Sequence, residues 1–532
     1  MSVNKKTSRS IAGIAGIVAA ATLISKVFGL IREQAIAAAF GAGPIANAYT
    51  YAYIIPGFLL ILLGGINGPF HSALFSVLSK RDKPDAAPIV ETVTTLVTGI
   101  LFLVTIILVW QADLFIDLVG ANLNLQQKAI ATQQLQIMAP MALLAGLIGI
   151  GFGTLNAANS FWLPSISPIF SSLAIIVSLG ILFWQVGSNT NSPGYLQLGT
   201  ICLAGGTLAG AIIQWLAQAI AQWRSGLGRL RLRFDLQNPG VKEVFKIMAP
   251  ATFASGMLHI NLYTDMWFLS GIETGGIAIR YANFIALTPL GIISNAILVP
   301  FLPVFSRLTE PQSWPELKLR IRQGILLSAL TMLPLTAIFI ALANPIVSIV
   351  YERGFFKDGD TATVAPVLMA YGLGMFFYLA RDVLVRVFYA LGDGNTPFRI
   401  AVGNILLNVV LDYFLVKYFA TPGVVFATIG VNIVSMALML LILNRRLDRL
   451  PLAEWSKAIL GLIAASAIAG LFARSSHYIW QKWIGSSNFI WQFLDLSLAV
   501  TLAVIVFIGL TLLLKLPEVN LLVTRIKKKL GK

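Results

Sequence analysis

The chain reads as a succession of long apolar runs punctuated by short clusters of charged residues, glycine and proline. Runs rich in apolar residues lie near 11–33, 45–68, 88–110, 133–156, 163–186, 197–222, 243–270, 276–303, 320–342, 364–391, 397–417, 423–443, 456–473 and 490–515. A helix rises 1.5 Å per residue, so each run is about long enough to cross the roughly 30 Å hydrocarbon core of a bilayer. The pattern predicts an all-α polytopic membrane protein with fourteen transmembrane helices.

Composition agrees. Of 532 residues 57% are hydrophobic and 11% charged, against about 25% charged in soluble domains. Fourteen spans of roughly 20–25 residues would use about 280–350 residues. That leaves short loops and excludes soluble catalytic folds built on GxGxxG or P-loop signatures. The net charge of +16 could suggest nucleic acid, but the basic residues cluster at the ends of apolar runs, as membrane topology requires. With the N terminus cytoplasmic, 26 of the 38 Lys and Arg residues fall on the cytoplasmic side, six on the opposite side and six within spans or at their edges. This predicts both termini in the cytoplasm and no nucleic-acid partner. Lys5, Lys6 and Arg9 before the first run read as a retained signal-anchor, since that run is too long for a signal peptide. The single cysteine, Cys202, has no partner for an intrachain disulfide.

A faint self-similarity runs through the chain. Pro56 lies 233 residues before Pro289, and Pro164 lies 233 before Pro397. Spans one and seven share an orientation. The expected organisation is therefore two six-helix lobes in parallel repeat around a central cavity, 1–225 and 226–450, followed by 451–532 with two further helices and a basic tail.

Ionisable residues inside spans are costly, roughly 2.5–3.5 kcal/mol on insertion scales, and face a cavity or one another. Span one carries Lys26, Arg32 and Glu33. Arg32 suits a phosphate, which a guanidinium grips with two N–H groups; the alternative is an anchor snorkelling to the interface. Span seven carries His259, Asn261 and Asp265, and span eleven carries Asn404, Asn408 and Asp412 on one stripe at i,i+4 steps. Span twelve places Thr428 and Asn432 likewise. Two carboxylates with amide and hydroxyl oxygens suit Na⁺ or a proton relay; the alternative is interhelical hydrogen-bond glue. Arg381 and the adjacent Asp382 need not pair. His71 reads as a satisfied polar residue, and Gly149/Gly153 and Gly206/Gly210 as close-packing pairs. The segment 351–360, with Glu352, Asp358 and Asp360, has no partner histidine or metal-ligand pattern and is weak evidence for catalysis.

Two segments resemble a known family. "TLISKVFGLIREQAIAAAFGAGPIANAYTYAYIIP" (22–56) is similar to the amino-terminal signature of the MurJ (MviN) lipid II flippases. "VFYALGDGNTPFRIAVGNILLNVVLD" (387–412) resembles that family's FYAxxDxxTP segment and the helix after it. The resemblance implies a fold of the multidrug/oligosaccharidyl-lipid/polysaccharide exporter superfamily and no enzymatic activity. It implies flipping of lipid II, the undecaprenyl-pyrophosphate-linked disaccharide-pentapeptide, to the outer leaflet of a bacterial plasma membrane by alternating access. Its partners would be lipid II and membrane lipids, with no cofactor except Na⁺ or H⁺ as coupling ion. Substrate contacts map onto Lys26, Arg32 and Glu33. Asn47 stands where the family has an acid, Asn67 lies in a second span lacking the family's arginine and glutamate, and Arg280 stands one turn before the family's Asp-Arg pair. A sodium site maps onto Asp265, Asn408, Asp412, the backbone of Val424, and Thr428. The thinner charge of span two leaves open a flippase for another polyprenyl-linked oligosaccharide. A cation-coupled drug antiporter would leave the last two helices without a role.

Overall fold

The computed structural model describes residues 4–65, 68–187, 190, 192–257, 259–485 and 488–518. Nineteen α-helices and no β-strand occur among the described residues. They fall into two compact units, one of residues up to Ile277 with Arg353–Lys357, the other of Ala278–Glu352 with the chain from Asp358 onward.

The first unit holds α1 (Asn4–Phe40), α2 (Pro44–Gly64), α3 (Pro69–Leu78), α4 (Lys83–Trp110), α5 (Ala112–Val119), α6 (Leu125–Met138), α7 (Met141–Ala157), α8 (Trp162–Ile166), α9 (Pro168–Val186), α10 (Leu196–Ser225), α11 (Pro239–Met257) and α12 (Ile260–Leu269). The helix α13 (Gly275–Ser306) starts there and continues into the second unit. The second unit holds α14 (Trp314–Tyr351), α15 (Asp358–Ala390), α16 (Asn395–Phe419), α17 (Thr421–Arg446), α18 (Leu452–Trp483) and α19 (Phe489–Leu513).

Every span expected from the sequence overlaps a helix. Among the described residues, eleven helical stretches are long and apolar enough to cross a membrane, and a twelfth is the pair α6–α7, bent by 42°. The bend falls where Pro140 removes a backbone donor. The two other expected spans, 11–33 and 243–270, correspond to α1 and to α11 with α12. Prolines open α2, α3 and α9 at their first turns, where a missing N–H breaks no helical bond.

The sequence divides the lobes at 225/226, whereas the contacts divide at 277/278. The physical reason is the apolar face of α11. Val241, Val244 and Met248 are buried in one cluster with Leu74 and Val77 of α3 and Val90 and Val93 of α4. Likewise the chain from Asp358 to the end of α19 forms one unit, with α18 packed on α14 and α19.

Where helices meet, buried hydroxyls bond back to their own helix. Thr50 donates to the Ala46 carbonyl, Thr92 to Pro88 and Thr207 to Leu203, so they enter the packed interior without orphaned donors. Gly149 lets α7 close on α2: a Cβ there would stand 2.0 Å from the Leu63 carbonyl oxygen. The segment Arg353–Lys357 clips onto the end of α1. Phe355 donates its N–H to the Ala38 carbonyl at 2.9 Å. The adjacent Gly354 has φ +61°, and a Cβ there would stand 2.3 Å from that same oxygen, so only glycine fits.

Candidate functional site

The charged residues of the first span sit on α1. Its stretch from Leu23 to Ile31 exposes Leu23, Ile24, Val27 and Ile31, whereas Ile36, Ala37 and Phe40 are fully buried. The helix therefore enters the packed unit at Arg32 and Glu33. Arg32 keeps 24% of its side chain exposed, and its Nη2 meets Glu33 Oε1 at 2.6 Å, with Nε at 3.1 Å from the same oxygen. Glu33 is 2% exposed. The α1 C-terminus is tied down beyond this point by Thr190, whose hydroxyl donates to the Ala39 carbonyl at 2.6 Å. A guanidinium at a packing boundary, oriented by a buried carboxylate, is a rigid, partly accessible cation. Lys26, six residues earlier, is exposed. At about 100° per residue it points roughly 120° away from Arg32.

Asn47 is placed differently from the expected substrate contact. It is 0% exposed. Its amide donates to the Glu273 carbonyl at 2.8 Å and to Gln127 Oε1 at 3.3 Å, and its oxygen accepts from the Ile277 N–H at 3.0 Å. Gln127 reaches the same Glu273 carbonyl at 2.9 Å. Asn47 thus fastens α2 and α6 to the first turn of α13, where a helix leaves N–H groups unmet. Asn67 lies outside the described residues. Arg280 is half-buried on α13 within the second unit.

In the second unit α16 turns its polar residues inward. Its buried positions are Pro397, Asn404, Asn408 and Asp412, while Leu406, Val410, Tyr413, Phe414 and Tyr418 are exposed. This inside-out pattern suits a helix whose surroundings are lipid. Asn404 donates to the Ser435 hydroxyl of α17 at 2.6 Å. Along α17 the Thr428 hydroxyl donates to the Val424 carbonyl at 3.2 Å, and Asn432 to the Thr428 carbonyl at 2.7 Å. Asp412 is 0% and Asn408 1% exposed. Both amide atoms of Asn408 are buried without a hydrogen-bond partner among the described residues. A carboxylate, an orphaned amide oxygen, a backbone carbonyl and a hydroxyl are all hard oxygen donors, the type a monovalent cation such as Na⁺ takes. Asp265, the remaining member of the expected set, sits half-buried on α12 in the first unit.

Other expectations resolve locally. His71 Nε2 meets the Asn156 amide at 2.8 Å, as a satisfied polar residue should. Arg381 does pair with the adjacent Asp382, at 3.3 Å, because long side chains reach across the 100° between them. The sequence reading gave Asp393 no role, and the structure supplies one. It accepts from the Thr396 N–H at 3.0 Å and the Thr396 hydroxyl at 2.8 Å, and pairs with Arg446 at 3.0 Å. It therefore caps α16 and ties it to the end of α17. Burial pushes the Asp393 carboxyl up, yet the Thr396 donors and the Arg446 guanidinium together hold it below the usual carboxylate range. The signal was the D-x-x-T-P spacing, which is helix-start chemistry.

Comparison with known proteins follows the same lines. The family described as "Lipid II flippase MurJ" matches residues 36–494. A protein of Synechocystis sp. described as "Probable lipid II flippase MurJ" is 60% identical over 529 residues, covering 99% of each chain. The "Lipid II flippase MurJ" of Burkholderia cenocepacia is 27% identical over 465 residues, 85% of this chain and 87% of its own. Among solved structures, a lipid II flippase MurJ in an inward closed conformation superposes with a TM-score of 0.71 at 22% identity, covering 92% of this chain and 97% of that one. An inward-facing multidrug resistance MATE transporter of the MOP superfamily gives 0.58 at 17% identity, covering 82% and 98%. These two share its fold. The chain is a membrane protein and belongs to the lipid II flippase MurJ family.

Proposed function

We propose that this chain flips lipid II from the cytoplasmic to the outer leaflet of a bacterial plasma membrane by alternating access, in the service of cell-wall synthesis. The observation that carries this reading is 60% identity, end to end, with a relative described as a lipid II flippase. The Arg32–Glu33 pair supports it chemically. A diphosphate carries more charge than the single carboxylate that holds Arg32, so it competes for the guanidinium and gains two parallel N–H···O bonds in a low-dielectric setting. Glu33 keeps the guanidinium in place before substrate arrives and takes it back afterwards. Exposed Lys26 adds steering charge, and Arg280 is a further cation for the headgroup. Among these residues Asn47 acts as a fastener, and Asn67 remains a candidate contact.

The lobes 1–225 and 226–450 and the segment 451–532 are read as functional parts of this cycle. The last segment supplies α18 and α19, whose exposed Leu460, Leu471, Ile490 and Ile505 offer an apolar path for the polyprenyl tail. Asn408, Asp412, the Val424 carbonyl and Thr428 are the proposed cation ligands, with Asp265 a further candidate, and bound Na⁺ would neutralise carboxylate charge. H⁺ at the same carboxylates is the other coupling ion the chemistry permits. Either can bias the cycle only through different affinity in its different states. The 26-to-6 charge asymmetry supports cytoplasmic termini.

The test is lipid II accessibility at the outer leaflet of cells depleted of their own flippase. The unaltered chain restores accessibility, and Arg32→Ala at equal expression does not. Rescue by both variants makes Arg32 an interfacial anchor. Failure of both despite correct insertion points to a different polyprenyl-linked glycan.

A further inference from the structure

In the second unit, the ends of α14 and α18 and the starts of α15 and α19 surround a cavity of about 330 Å³, within the size range of small-molecule sites. Glu352, Asp358, His477, Gln481, Gln492 and Asp495 line it. None of them belongs to the substrate or cation residues described above.

The floor of the cavity is Asp495, 2% exposed. His477 donates from Nδ1 to Asp495 Oδ2 at 2.8 Å, and Gln481 donates from Nε2 to the same oxygen at 2.9 Å. Its other oxygen, Oδ1, is buried with no hydrogen-bond partner among the described residues. Elsewhere in the lining the Thr361 hydroxyl donates to Glu352 Oε2 at 3.3 Å, which steadies a second carboxylate. Asp358 contributes a third at the exposed rim. A fixed, desolvated carboxylate beside a cavity asks for a further donor, and preferably a charged one. Three carboxylates against one imidazole make the cavity anionic. Neutral hydroxyl donors would satisfy the orphaned oxygen but leave that charge unanswered. Among the described residues no group of three or more His, Cys, Asp or Glu side chains could hold a metal ion. An ammonium group brings three N–H donors and a full positive charge on a small head.

We propose that this cavity binds a primary alkylammonium group, with the Asp495 carboxylate as its principal counter-charge and Glu352 and Asp358 as flanking charges. A free diamine and the lysine-like end of a peptide share this chemistry. The experiment is isothermal titration of the purified full chain with 1,5-diaminopentane and with an N-acetylated Ala-Lys dipeptide, using 1,5-pentanediol as the neutral control. Both amines bind and the diol does not. Tighter binding of the dipeptide assigns a peptide-borne ligand, and the reverse order a free amine. Asp495→Asn, which keeps the shape and still accepts from His477 and Gln481, weakens amine binding about tenfold or more, the effect of losing one charge-assisted hydrogen bond. Asp358→Asn, at the exposed rim, weakens it about threefold and decides the matter if the Asp495 variant does not fold. Absence of amine binding to the unaltered chain, equal binding of the diol, or unchanged binding in both folded variants overturns the proposal.

Discussion

On α1 the polar residues are adjacent, fully charged and half open, with Arg32 24% exposed beside a buried Glu33. On α16 they are four residues apart, mostly uncharged, and closed off: Asn404, Asn408 and Asp412 are all buried. Both helices are otherwise apolar, so the contrast isolates how a membrane protein houses polarity. Taking two charges out of water is expensive, and α1 answers with an ion pair at the edge of packing, where the cation stays partly accessible. On α16 the amide of Asn404 meets Ser435 of α17, whereas Asn408 is withdrawn with both amide atoms lacking a hydrogen-bond partner among the described residues. What such a stripe can then admit is small. The first arrangement suits a bulky anionic headgroup and the second a bare cation.

The largest expected effect falls on α1. Arg32→Ala abolishes rescue in flippase-depleted cells, a loss of about tenfold or more in transport, since hydrogen bonds to charged groups contribute about 1.5–3 kcal/mol each. Arg32→Lys retains part of it, having charge without the fork; full activity in both variants would erase the distinction between the helices. Next comes the fastener at Asn47. Asn47→Ala strands buried partners at three hydrogen bonds and lowers unfolding free energy by about 2–4 kcal/mol, read as a lower Tm, while the folded fraction still transports. A variant of normal Tm with no transport would return Asn47 to the substrate path. On α16, Na⁺ at about thirtyfold over its Kd raises the stability of the unaltered chain by about 2 kcal/mol, and Asp412→Asn removes that response. A chain whose Tm ignores Na⁺ would make the stripe structural glue. The smallest effect belongs to Asp393. Its folded carboxyl lies below its unfolded value, so its contribution is present above the unfolded pKa and is lost as pH falls through the folded one. Asp393→Asn costs about 1 kcal/mol as a lost helix cap near neutral pH and flattens that acid limb.

Much of this was legible in the sequence because bilayers impose a length and a composition. The apolar runs mark the helices, and the i,i+4 stripe of α16 shows which face turns inward. The pairing of Glu33 was less legible. Lys26 lies seven residues before it and shares its face, but the structure gives Glu33 to the neighbouring Arg32. Asn47 shows the deeper difficulty. A polar residue on a cavity wall and one bolted into an interior look identical along the chain, and only the arrival of Glu273 and Ile277, more than 220 residues later, separates them. The same holds for Asp495, which needs His477 and Gln481 of another helix before it becomes a site. The compact units divide at 277/278 because α11 buries its apolar face against α3 and α4, a contact the chain order alone does not reveal.

The clip at Gly354 has a consequence for how the chain is made. Residues 353–357 complete the first unit, yet they emerge from the ribosome only after α13 and α14 have been synthesised. Until then the Ala38 carbonyl at the end of α1 lacks the N–H of Phe355. The amino-terminal unit therefore cannot reach its final form as an independent, early-finished module, and a chain cut after Ile277 would carry that vacancy permanently. Biogenesis of the two units is interlocked by five residues, which sets a lower limit of 357 on the length of a nascent chain able to finish its first half.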